Sequence, residues 1–105
     1  MSASRRYEIL LPLQFNDGQP VPDSLIGEAL TDLRGHFGAV AWETQIIKGT
    51  WEHQEQLYRD NLMRVIVDVP DTEDTRRFFS QFKQTLKTRF RQIDIWMTTH
   101  MIEII

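Results

Sequence analysis

The run Asn61-Leu62-Met63-Arg64-Val65-Ile66-Val67-Asp68-Val69 limits this chain more than any other stretch. Four of its last five residues are β-branched, and Pro70 with Asp71 closes it, so it reads as a strand. Side chains alternate along a strand, which puts Met63, Val65, Val67 and Val69 on one face and Leu62, Arg64, Ile66 and Asp68 on the other. The first face is wholly apolar and the second is mixed. Such a strand belongs in the middle of a sheet that is covered by helices on one side only.

The rest of the chain supplies those partners. Residues 7–15 predict a first strand with Tyr7, Ile9, Leu11, Leu13 and Phe15 on one face. Pro12 has no amide hydrogen for a ladder, so a bulge or one-sided pairing is expected there. Asn16-Asp17-Gly18 is a turn signal. A helix capped by Asp23 or Ser24 carries the stripe Leu25 or Ile26, Ala29, Leu30, Leu33 and Phe37, with Gly35 and Gly38 as stop signals. Residues 39–50 predict an irregular edge strand with Val40, Trp42, Thr44 and Ile46 on one face, and Lys48-Gly49 as a place to twist or bulge. Residues 51–58 read as a polar hairpin tip. A second helix starts at Asp71 or Thr72, with the stripe Phe78, Phe79, Phe82, Leu86 and Phe90. A last strand is predicted from about residue 93 to the end.

The order strand, helix, strand, strand, helix, strand predicts an α+β domain of ferredoxin-like βαββαβ type: a four-stranded antiparallel sheet with two helices on one face. Right-handed crossovers put the first and third strands in its centre. The 105 residues allow a single domain, 1–105.

Composition removes several function classes. The net charge of −3 creates no global field toward nucleic acid. With no cysteine there is no disulfide, thiolate zinc site, iron–sulfur cluster or cysteine nucleophile. Met1-Ser2-Ala3-Ser4-Arg5-Arg6 makes a poor signal peptide, and no apolar run approaches the roughly 18 residues of a membrane span. A cytoplasmic protein of bacterial type is the expectation. Phosphate-loop, dinucleotide-binding and Gly-x-Ser-x-Gly patterns are missing, which disfavours nucleotide-driven and serine-hydrolase chemistry.

The uncovered face of the predicted sheet carries Glu8, Leu10, Pro12, Leu62, Arg64, Ile66, Asp68, Trp96, Thr98, His100 and Ile102, with Trp42 as a further candidate. That is greasier than a solvated face should be. A homodimer packed sheet against sheet is the leading expectation, and a ligand held on the face is the second.

The run Tyr7-Glu8-Ile9-Leu10-Leu11-Pro12-Leu13-Gln14-Phe15-Asn16-Asp17-Gly18, with Gly49-x-Trp51, Tyr58-x-Asp60, Val67-Asp68-Val69 and Ile95, resembles a family of small bacterial proteins across nearly the whole chain. The resemblance implies the ferredoxin-like fold and assigns no activity, cofactor or site. More loosely, the predicted architecture is similar to dimeric α+β barrel proteins, some of which are cofactor-free oxygenases or haem-degrading enzymes. Fold alone does not carry function.

Three groups of residues are candidates for chemistry. In the hairpin, His53, Tyr58 and Asp60 stand near Trp51, Glu52 and Glu55, a set suited to general acid–base work. The bland reading is a cross-strand Trp51–Tyr58 aromatic pair. On the open face, Trp96, His100, Arg64, Ile66, Asp68 and Leu10 would form an interface or line a pocket, and Arg64 with Asp68 reads equally as an ion pair. The second helix carries Arg76, Arg77, Lys83 and Lys87, with Arg89 and Arg91 at its end, which reads as a solvated face before it reads as a phosphate surface. His36 suits the dipole at the end of the first helix. The three histidines lack metal-ligand spacing, so no metal and no cofactor are expected. The expectation is a non-enzymatic interaction or regulatory module. The alternatives are a small cofactor-independent enzyme with its pocket on the open face and, more weakly, nucleic-acid contact through the second helix.

Overall fold

The computed structural model describes residues 3–105. Along the chain lie β1 (Ser4–Pro12), α1 (Asp23–Phe37), β2 (Ala41–Trp42), β3 (Ile47–His53), β4 (Gln56–Pro70), α2 (Glu73–Arg89) and β5 (Met97–Ile102). β4 contains the run 61–69 and extends it at both ends. All pairing is antiparallel. β4 and β1 form the centre, β5 one edge, and β2 and β3 share the other edge along β4.

The helices cover one face. Tyr7, Ile9 and Leu11 of β1 and Val65, Val67 and Val69 of β4 form the core with Ala29 and Leu33 of α1 and Phe79, Phe82 and Leu86 of α2. Phe90 and Ile95 close it beyond α2. The alternation of β4 and the stripes of both helices therefore bury the side chains that their periods select. Pro12 ends β1 opposite Leu62, while β5 pairs with β1 only between Ser4 and Ile9, so the missing amide falls where just one neighbour remains.

Helix ends follow local chemistry. Gly38 takes the left-handed position after α1 (φ 86°) and donates its amide to the Arg34 carbonyl at 2.7 Å. Thr72 caps α2 in a reciprocal box with Thr75. At the start of α1 the cap position belongs to Pro22, one residue before the expected Asp23, with no side-chain cap. Its φ of −60° and ψ of 142° bring the chain in extended, and Asp23 becomes the first helical residue, where its charge suits the dipole.

The sheet has five strands and not the four predicted, because the edge strand is broken. From Trp42, opposite Val65, to Ile47, opposite Leu62, the edge advances five residues while β4 advances three, so two residues bulge out within 43–46. Lys48 and Gly49, the expected bulge, stay in regular register with Asn61 and Asp60. An edge strand has one neighbour, so a surplus on its free side disrupts no second ladder. The surplus is even, so side chains keep their faces. Trp42 shares the helix-side face with Val65 and does not join the open one; at the sheet margin it stays half exposed.

The first and last strands differ from their predicted spans at both ends: β1 stops at Pro12 instead of residue 15, and β5 stops at Ile102 instead of residue 105. β1 starts at Ser4 and so includes Arg5 and Arg6. β5 starts at Met97, because the backbone from 91 to 96 is irregular: Arg91 has φ 53°, and Asp94 accepts the Ile95 amide at 2.9 Å on its own carboxylate. No helix among the described residues is long and apolar enough to cross a membrane.

Candidate functional site

The open face divides into two halves of different chemistry. Its first half is charged. Arg6 and Asp68 are directly opposite on β1 and β4 and form a two-pronged pair, Nε to Oδ1 at 2.8 Å and Nη2 to Oδ2 at 3.0 Å. Arg64 reaches Glu43 at 3.4 Å and Glu8 at 3.9 Å. His100 of β5 lies opposite Arg6. This half is less greasy than the sequence suggests. Arg6 escapes the sequence reading because the apolar period is clear only from Tyr7, although Arg6 continues the even positions of Glu8 and Leu10.

This pairing makes acid the weak side of the fold. Hydrogen bonds from Arg6 hold the Asp68 carboxyl below the usual carboxylate range, against burial, and the His100 charge adds to the effect. At Asp94 burial pulls upward, but the Lys83 ammonium at 3.1 Å, the Ile95 amide and the charge of Lys87 together hold the carboxyl low. A carboxyl lowered in the folded state stabilises it fully above the unfolded value of about 4, and that contribution is lost as pH falls through the lower folded value. Stability should therefore fall below about pH 4, and Asp68→Asn should flatten part of the fall. Urea midpoints measured at pH 6 and at pH 3 for both proteins check this.

The second half is apolar and concave. β1 stops at Pro12, opposite Leu62, and β3 and β4 run on past it as a two-stranded arm. The arm turns through Gln54 and Glu55, both with positive φ (51° and 66°), a two-residue turn that follows the strand twist. The tip is thus narrower than the predicted 51–58, and Trp51 and Tyr58 lie within the strands. They face each other across the ladder and stack with ring centres 4.4 Å apart and planes 16° from parallel. The Trp51 indole Nε1–H donates to Asp60 Oδ2 at 2.7 Å.

A cleft of about 700 Å³ opens between this arm and the segment that leads from α2 to β5. Leu10, Pro12 and Leu62 line it from the central strands. Gly49, Trp51, Glu52, His53 and Asp60 line it from the arm. Lys87, Ile93, Asp94 and Trp96 line it from the far side. Gly49 is a close approach: a Cβ there would stand 3.3 Å from Leu62 Cδ1.

The cleft draws on both sequence-derived groups. His53 and Asp60 come from the hairpin, and Trp96 and Leu10 from the open face. Tyr58 backs Trp51 and is not itself at the wall. His100, Arg64, Ile66 and Asp68 stand outside it on the sheet. Asp94 is a wall residue that sequence reasoning does not single out, since the irregular 91–96 segment carries no periodic signal. Lys87 reads from the sequence only as one cation of a solvated helix face, and the structure turns it to the cleft.

The remaining candidates have structural partners. Among the basic residues, Arg76 pairs with Asp71 at 4.0 Å, Arg77 with Asp74 at 3.4 Å, Lys83 with Asp94 at 3.1 Å, and Arg89 with Asp32 at 3.0 Å and Glu28 at 3.2 Å. Arg91 lies over the Phe15 ring at 4.6 Å. His36 stacks on Phe78 at 4.2 Å. Among the described residues no three His, Asp or Glu side chains converge as metal ligands would.

Neither a protein-family model nor a curated protein matches the chain by sequence. Solved structures do match in shape. A phage SAM lyase in complex with S-methyl-5′-thioadenosine aligns over 96% of this chain and 83% of its own, with a TM-score of 0.76 and 14% identity. The same kind of enzyme in the apo state aligns over 94% of this chain and 81% of its own, with a TM-score of 0.62 and 14% identity. The divalent cation tolerance protein CutA1 from Thermus thermophilus aligns over 94% of this chain and 84% of its own, with a TM-score of 0.63 and 12% identity. Likeness at such identities shows the fold alone: this chain has the small ferredoxin-like α+β architecture that the SAM lyase and CutA1 structures share.

Proposed function

We propose that the cleft binds an adenosyl thioether or sulfonium compound, the chemical class of the S-methyl-5′-thioadenosine carried by the similar phage enzyme. The observation that carries this reading is the cleft itself, about 700 Å³ with an indole on each side. That volume falls within the range of small-molecule sites, roughly 300–1,000 Å³. Trp51 stands on β3 opposite Tyr58, and Trp96 lies just before β5 beside Leu10, which pairs with Arg64, so three strand spacings and six residues of register separate their backbones, about 25 Å by sheet geometry. Indole faces accept a purine by stacking and attract a sulfonium cation. Leu10, Pro12 and Leu62 suit a thioether, and Asp60, whose Oδ2 is held by Trp51, accepts from ribose hydroxyls. His53 and Asp60, on the arm beside Trp51, are among the wall groups able to move a proton on a bound ligand.

Titration with S-methyl-5′-thioadenosine, followed by tryptophan fluorescence and calorimetry, tests it. Saturable binding is expected, with a loss of about tenfold in Trp96→Ala, the effect of one base–aromatic stack. Absence of binding at millimolar ligand removes the reading.

A second reading is favoured by a different observation. The open face lacks helix cover, and Trp96 on it is 66% exposed. A homodimer joined through that face, acting as an interaction module, would cover the indole. It would also bury Arg6, Asp68, Arg64 and Glu43, and desolvating those ions opposes it. Light scattering at tens of micromolar separates dimer from monomer.

A further inference from the structure

We infer that the ligand of this cleft carries an α-amino acid tail, and that Lys87 reads its carboxylate; the inference rests on the adenosyl reading above. α2 holds five cations. Four of them, Arg76, Arg77, Lys83 and Arg89, have a carboxylate partner within 4.0 Å. Lys87 is the exception: among the described residues it has neither an ion pair nor a side-chain hydrogen bond, although it is half buried and lines the cleft. The helix dipole favours a cation in this last turn, but Arg89 already supplies one and is anchored across to α1.

Gln92, Ile93, Asp94, Ile95 and Trp96 line the cleft on the same side as Lys87. Asp94 already accepts the Lys83 ammonium and the Ile95 amide on Oδ1, so Lys87 acts on it only at longer range. A half-buried lysine without a short-range counter-ion, in a cleft wall, is a place where an anion gains more than it would at the open surface. Asp94 Oδ2 makes no hydrogen bond among the described residues. One wall thus offers a cation for a carboxylate and, beside it, a carboxylate oxygen for an ammonium. An α-amino acid end presents those two groups on one carbon atom. The carboxylates on the opposite arm, Asp60 and Glu52, leave that side to the nucleoside.

The test compares S-adenosylhomocysteine, which has the tail, with S-methyl-5′-thioadenosine, which lacks it. For the unmodified protein the tailed ligand should bind at least tenfold tighter, and that preference should shrink with added salt. In Lys87→Gln the ratio of the two affinities should fall to about one, and in Lys87→Arg it should be largely restored. If the tail-less ligand binds as well as the tailed one, the inference is wrong and the adenosyl reading stands. A tenfold preference that survives in Lys87→Gln overturns the assignment to Lys87. If neither ligand binds the unmodified protein, the adenosyl reading fails and this one fails with it.

Discussion

Phe79→Ala should cost the fold about 3–5 kcal/mol, the usual loss for a fully buried Phe. Phe79 is 1% exposed and stands where β1, α1 and α2 meet. Its ring lies 3.8 Å from Tyr7 and within 10° of parallel, 5.3 Å from Phe37 and parallel to it, and edge-on to Phe78 at 5.2 Å. Truncation removes all three contacts and leaves a void that the sheet cannot close, because Tyr7 is held in the central ladder by β4 and β5. A small domain has only about 5–15 kcal/mol in total, so this loss takes a large part of it. In urea the midpoint should drop by about 2 M, given slopes of about 1–3 kcal/mol per molar. Phe78→Ala serves as the comparison. Phe78 is only partly buried and packs on His36, so its loss should be clearly smaller. Equal midpoints for the two variants would mean that the core is not centred where the contacts place it.

Trp51→Ala should loosen the arm and spare the body. Past Leu62 the arm has two strands and no third partner, and isolated hairpins are marginal in water. The stack on Tyr58 and the bond to Asp60 are the side-chain contacts that hold it. Together they contribute about 2 kcal/mol, from an aromatic pair and a charge-assisted hydrogen bond. Amides between residues 49 and 60 should lose protection in hydrogen exchange, while those of β1 and α2 keep theirs. Ligand affinity in the cleft should fall more than tenfold, since one wall is removed. Trp51→Phe keeps a ring and loses the donor, so it separates the two contributions. Unchanged protection in the arm of Trp51→Ala would show that backbone pairing alone maintains it.

Much of this was legible before any coordinates. The alternation in 61–69 located the central strand, and the stripes of both helices selected the core residues, because burial on one face imposes a period on sequence. The start of α2 at Asp71 or Thr72, the Gly38 stop and the Asn16-Asp17-Gly18 turn were legible because backbone preferences there are local. The Trp51–Tyr58 pair was readable because a short hairpin fixes its own register. The broken edge was not, since a strand with one neighbour can bulge without leaving a mark on hydrophobic spacing. The irregular chain before β5 hid Asp94 for the same reason: no period runs through it. Lys87 was visible as a cation, but nothing local separates it from the paired cations of its helix.

By itself, then, the sequence determined which residues face the core, the order of the elements and the one-sided cover of the sheet. Each of these follows from side-chain period and backbone preference within a few residues. Only the tertiary structure decided that Arg6 meets Asp68, that Trp42 sits on the helix side, that Trp51 and Trp96 flank one cleft, and that Lys87 alone in its helix goes without a carboxylate among the described residues. Those facts depend on register between strands and on packing between elements far apart in the chain, and no local pattern encodes such distances.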